Sequence, residues 1–169
     1  MQDYGHWIWQ QDDFDPDEYQ GFIYLVVFYL TGEKYVGKKS FHRMNKAGTK
    51  RYGQSDWKTY LTSSEHIHKL LEEYPMECFH FEIIMLCKTK AILSYAEANI
   101  LHKCDALTRV DNTWGLPKYL NKRIDPIRWI TKNYPVQEVD AHARESFAKL
   151  ADEVLDIRFG DYVDYGGIS

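Results

Sequence analysis

Apolar and polar positions alternate along the chain in blocks whose periods predict distinct elements. Gly21–Leu30 is a β-branched and aromatic run, which reads as a strand. Thr31-Gly32 supplies a turn, and Lys34–Lys39 returns as a second strand. Phe79–Cys87 is a third strand by the same signal. Ser63 or Ser64 caps a helix that runs to about Glu73 and stops before Pro75. Thr89 caps a second helix over about Lys90–Lys103. Ser40–Trp57 is polar and Gly-containing, so it reads as a loop with room for a short helical turn, and Leu107–Tyr119 is loop-like. Asp125-Pro126 starts a short helix, and Val136–Ile157 places Val139, Ala143, Phe147, Leu150, Val154 and Ile157 at helical spacing. Gln2–Tyr19 is too rich in Asp and Pro for a helix, yet its Trp7, Ile8, Trp9 and Phe14 call for a docking surface. The order predicts an α+β fold: a small three-stranded antiparallel sheet flanked by helices, with an added C-terminal helix.

Composition narrows the class. The 169 residues suit one domain with extensions, and 44% apolar residues supply a core. The longest apolar run, Phe22–Leu30, is far too short to span a membrane, and residues 1–20 show no secretory pattern. Three cysteines without a CxxC pair fit a reducing cytoplasm. Cys78 with His80, and His102 with Cys104, carry little weight as zinc ligands. The net charge of −4 conceals segregation: residues 1–20 hold six acids and no Lys or Arg, residues 21–132 are net +7, and residues 133–169 are net −5. A basic middle suits a polyanionic partner or a merely solvated basic surface.

The hairpin carries the most specific chemistry. It reads Gly21-Phe22-Ile23-Tyr24 and, ten residues on, Tyr35-Val36-Gly37. Two antiparallel strands can set two phenols side by side on one face, where they orient a water or a phosphate oxygen. Taken alone, the hairpin also fits a buried aromatic pair. This pattern resembles the GIY-YIG nuclease superfamily, in its phage-type branch, with the first glycine displaced by one position. The resemblance spans about Gly21–Arg123. It divides the chain into an acidic N-terminal arm (1–20), a GIY-YIG-like nuclease domain (21–124) and a C-terminal helical extension (125–169).

The resemblance implies a Mg²⁺-dependent (or Mn²⁺-dependent) DNA endonuclease that nicks or prefers certain sites. It assigns Tyr24, Tyr35, Lys38, Arg43, Glu97 and Asn121 to catalysis. Arg43 is the guanidinium that stabilises charge on phosphorus. Glu97 is the metal ligand on the second helix, where it shares a face with Leu93, Ile100 and Leu101 and requires compensation; an ion pair with a local Lys is the alternative. Asn121, with Asn112 as rival, closes the centre. Tyr24 is the preferred phenol to handle the attacking water. Lys39, His42, Lys46, Lys50, Arg51, Trp57, Lys58, Ser63 and Ser64 are the expected DNA contacts. Double-stranded DNA is the implied partner, in the cytoplasm of a host cell if the chain is phage-encoded or belongs to a homing element. The face of Val136–Ile157 packs on its own domain or forms a homodimer. Two other classes stay open: a non-catalytic DNA-binding or inhibitory protein on the same fold, and an interaction protein using its acidic ends.

Overall fold

The computed structural model describes residues 2–110 and 116–127. Its main sheet holds β1 (Gly21–Phe28), β2 (Glu33–Ser40) and, later in the chain, a long strand over Phe79–Cys87, all antiparallel, with β1 in the centre. Between β2 and the third sheet strand lie β3 (His42–Met44) and β4 (Arg51–Gln54), which pair only with each other. The sheet strand at Phe79–Cys87 is therefore β5. Helix α1 covers Glu65–Glu73 and α2 covers Lys90–Lys103. Residues 125–127 have no regular structure, and the amphipathic Val136–Ile157 segment and Asn112 lie outside the described residues.

Capping chemistry sets the helix starts. The Ser64 hydroxyl accepts from the Ile67 N–H, and the Thr89 hydroxyl accepts from the Ile92 N–H at 3.1 Å. The segment expected as a loop between Ser40 and Trp57 is a β-hairpin instead. It lacks the apolar alternation that marks a strand, because it faces solvent.

Every residue of β1 is buried, since both its faces are covered. Ile23, Leu25 and Val27 join Val36, Ile84, Leu93, Ala96, Ile100 and Leu101 in an aliphatic core under α2. Phe22, Tyr24, Val26 and Phe28 point the other way, into an aromatic core with Trp7, Phe14, Phe41, Trp57, Ile67, Phe79 and Phe81. Trp7 and Phe14 make the N-terminal segment part of this second core. Ile8 continues the attachment by pairing with β5: its N–H donates to the Phe81 carbonyl, and its carbonyl accepts from Ile83. Acidic residues of the same segment meet basic side chains: Asp3 Oδ2 lies 3.2 Å from Lys58 Nζ, and Arg51 Nη1 donates to the Asp17 carbonyl.

Candidate active site at the edge of the sheet

Strand β2 organises the site because its side chains alternate between the two cores. Val36 and Lys38 face α2, whereas Tyr35, Gly37 and Lys39 face the aromatic side.

On the α2 side, Lys38 Nζ lies 2.7 Å from Glu97 Oε2. Glu97 stands one turn beyond Leu93 on a stripe that otherwise enters the core, and its carboxylate is 16% exposed. The charge that its position requires is thus supplied by Lys38, through the ion pair that is the alternative to a metal-ligand role for Glu97. Asp125 Oδ2 lies 3.9 Å from the same ammonium.

On the aromatic side, Tyr24 pairs across the hairpin with Gly37, and its ring lies over that glycine. A Cβ at position 37 would come within 2.4 Å of the Tyr24 hydroxyl oxygen, which explains why only hydrogen fits there. The Tyr24 hydroxyl is 3.3 Å from the Tyr60 hydroxyl and accepts from the Ser63 N–H at 3.2 Å. Tyr35 reaches the surface and shares a 2.8 Å hydrogen bond with the Ser63 hydroxyl. Burial, with Tyr60 beside it, drives the Tyr24 phenol well above its ordinary range of ionisation. Burial also raises Tyr35, and the nearby Glu97 charge adds to the rise against the Ser63 hydrogen bond.

Arg43 is exposed on β3, with its Nε donating to the Gln54 carbonyl at 3.1 Å. It lines a cleft of about 560 Å³ together with Lys38, Lys39, Lys90, Leu93 and Ser94. Lys39 is held there at 2.6 Å from Asp56 and 3.9 Å from the centre of the Tyr60 ring. Lys38, which pairs with Glu97, also lines this cleft, whereas Glu97 is not among its lining residues. A second cleft, of about 360 Å³, contains Tyr35, Ser63, Ser64, Asn121, Lys122 and Arg123.

Several expected residues occupy other roles in the structure. Asn121 binds backbone: its Oδ1 accepts from the Val36 N–H at 3.1 Å and its Nδ2 donates to the Val36 carbonyl at 2.7 Å. Trp57 is 1% exposed between Phe22 and Phe41, so it offers no face to DNA. His42 is buried, with Nε2 3.2 Å from the Pro16 carbonyl. Ser64 is occupied as the cap of α1, and Lys58 pairs with Asp3. Lys46, Lys50 and Arg51 stand exposed on the β3–β4 hairpin. Lys90 and Arg123 are additions that the sequence did not single out, and Tyr60 closes the Asp56–Tyr60 segment, which resembles phage-type members, without being an expected site residue. Lys90 had a signal, as the first residue of a capped helix in a basic segment.

Cys87 is buried and its thiol is pushed up to about 12 by burial, so it is inert packing. Among the described residues, no group of three or more His, Cys, Asp or Glu is arranged to hold a metal ion, and no helix is long and apolar enough to cross a membrane.

Comparison with known proteins gives one family. No curated protein and no solved structure matches the chain. A family model described as "Putative endonuclease segE, GIY-YIG domain" matches residues 7–124, more than two thirds of the sequence, and begins at the buried Trp7. With its paired tyrosine strands, its obligatory Gly37 and its helix-borne Glu97, the chain belongs to this family of GIY-YIG endonuclease domains.

Proposed function

We propose that the protein is a DNA endonuclease that hydrolyses phosphodiester bonds with one Mg²⁺ (or Mn²⁺) ion and cuts one strand per catalytic centre. The observation that supports this reading is the 2.7 Å Lys38–Glu97 ion pair on the strand that also carries Tyr35, with Lys38 lining the same cleft as Arg43.

The donor set fits such an ion. Mg²⁺ is held by one or two carboxylates and otherwise keeps waters and substrate phosphate oxygens. Glu97 would supply one carboxylate, and Asp125, near the same ammonium and paired with Arg123, would be the candidate for a second. A zinc site made wholly of protein ligands would need more of them. When bound, the cation would act as a Lewis acid toward the scissile phosphate. Arg43 places a forked donor in the cleft for the phosphate oxygens. Lys38 adds positive charge where negative charge develops. Tyr35 is the phenol that reaches solvent, in the second cleft beside Ser63 and Arg123, so it orients the attacking water from that side. Tyr24 is enclosed, and it positions Tyr35 through Ser63. Both phenols remain protonated near neutral pH, so they act as hydrogen-bonding groups and leave proton removal to solvent.

The test is conversion of supercoiled plasmid to open circles, with Mg²⁺ or with EDTA. The wild-type protein should nick only with the cation and leave 5′-phosphate and 3′-hydroxyl ends. Glu97→Gln should lower the rate by roughly 10²–10³, with duplex affinity in EDTA little changed. Undiminished nicking by Glu97→Gln would remove this residue from the mechanism. A second reading, a non-catalytic DNA-binding or inhibitory protein, is favoured by one observation: the Lys38 ammonium lies 2.7 Å from Glu97 and neutralises it. Absence of nicking under every condition, with duplex binding retained, selects it.

A further inference from the structure

From Arg43 to Gln54 the chain leaves both cores. These twelve residues include four cations and no acid, and none of them is buried. Strands β3 and β4 pair at His42–Gln54 and Met44–Arg51, so between those pairs Arg43 stands opposite two residues, Tyr52 and Gly53. Gly53 has φ +139, a conformation that L side chains rarely adopt, and Tyr52 is 63% exposed. A bulge of this kind twists a ribbon and re-aims its side chains.

The ribbon is also held firmly. At its tip, Asn45 Oδ1 accepts from the N–H groups of Thr49 and Lys50, at 2.8 and 3.1 Å. Gly48 turns the tip at φ +69, and Lys90 Nζ lies 3.6 Å from where its Cβ would be. At the base, the Ser55 N–H donates to the Phe41 carbonyl at 2.7 Å and the Ser55 hydroxyl donates to the Ser40 carbonyl at 2.6 Å. An ordered, cationic projection that contributes nothing to a core is built to meet a polyanion.

We infer that the β3–β4 ribbon is the base-reading element of this protein and lies in the major groove of duplex DNA beside the phosphate held by Arg43. Tyr52 meets a base there, and Lys46 and Lys50 contact flanking phosphates. Width decides the groove. Two strands about 4.8 Å apart, with side chains, fit a major groove roughly 12 Å wide but not a minor groove of roughly 6 Å. The inference takes from the nuclease reading its substrate class and the phosphate at Arg43.

The experiment is fluorescence anisotropy of a labelled 30-base-pair duplex of mixed sequence, in EDTA, across a NaCl series. Tyr52→Ala should weaken binding about tenfold at every salt concentration, leaving the salt slope unchanged. Lys46→Ala with Lys50→Ala should reduce the slope by about two. Methylating guanine N7, which lies in the major groove, should weaken the wild-type protein and affect Tyr52→Ala much less. Thermal midpoints should not move, because these side chains are exposed. Wild-type affinity in both variants, or indifference to N7 methylation, overturns the ribbon assignment. Because cleavage is absent in EDTA, the two readings fail separately. A protein inert with Mg²⁺ but sensitive to Tyr52→Ala loses the nuclease assignment and keeps the ribbon, and a nicking protein indifferent to Tyr52→Ala does the reverse.

Discussion

The α2 side of β2 and its aromatic side build the site in different ways. Toward α2, Lys38 and Glu97 hold opposite charges 2.7 Å apart with partial access to solvent. Toward the aromatic core, Tyr24, Tyr60, Ser63 and Tyr35 form a chain of uncharged hydrogen bonds fixed by packing. Neighbours along a strand point to opposite faces, so one edge strand supplies both halves from adjacent positions. The contrast separates what responds to ions from what responds to shape. On the proposed mechanism the charged half would exchange partners when a cation or phosphate arrives, whereas the neutral half would change only if its packing is disturbed.

Breaking the charged half carries the largest expected effect. Beyond the loss with Glu97→Gln, Lys38→Met should slow nicking about 10²-fold if its charge stabilises the transition state. It should also lower the Mg²⁺ concentration for half-maximal rate, because an ammonium no longer competes for Glu97. A Mg²⁺ titration of the variant checks this, and a rise in the requirement would mean that Lys38 recruits substrate without competing with the ion.

The neutral half breaks through shape. Gly37→Ala forces a methyl within 2.4 Å of the Tyr24 hydroxyl and 2.5 Å of its ring carbon. Overpacking of this sort costs about 1–3 kcal/mol, read as a lower urea midpoint, with nicking impaired in the fraction still folded. An unchanged midpoint would show that the tyrosine ring yields freely.

Asn121→Leu removes two bonds to the Val36 backbone. Groups left unpaired should cost about 1–3 kcal/mol, with faster amide exchange at Val36 by hydrogen-exchange mass spectrometry. Exchange as slow as in the wild type would show that another group replaces the amide.

The smallest effect is the response to alkali. Burial raises Tyr24 above its ordinary 10.0, so the folded protein holds this proton more tightly than the unfolded chain does. Stability from this source is intact below pH 10.0 and declines as pH rises beyond it, where the unfolded phenol ionises first. Tyr24→Phe should flatten that decline in urea midpoints taken from pH 8 to 11. An identical slope in the variant would assign the alkaline loss to other groups.

The five main elements were legible because each carries a local signature: the unbroken apolar run at Phe22–Phe28, the Thr31-Gly32 turn, the caps at Ser64 and Thr89. The β3–β4 ribbon was not, since an exposed hairpin has no buried face to impose alternation on its sequence. Nor does local pattern say that Trp7 and Phe14 complete a core with Phe22, Phe41 and Phe81, or that Trp57 and His42 turn inward from a basic segment. In the site, Glu97 was legible as an acid on an apolar stripe. Its pairing with Lys38, and the enclosure of Tyr24 that transfers the exposed role to Tyr35, follow from the register of strands distant in sequence.

The stretch from Lys118 to Asn121 has a consequence for shortened forms of the chain. The Lys34 N–H and carbonyl are satisfied by Lys118 and Leu120, and those of Val36 by the Asn121 side chain. Cut the chain ahead of Lys118, and the row of groups beside the nuclease residues becomes a template open to any passing strand, including that of another molecule. Such a fragment keeps Tyr24, Tyr35, Lys38, Arg43 and Glu97 but loses Asn121 and Asp125, and it invites edge-to-edge self-association, so aggregation would lower its activity in addition to any chemical loss.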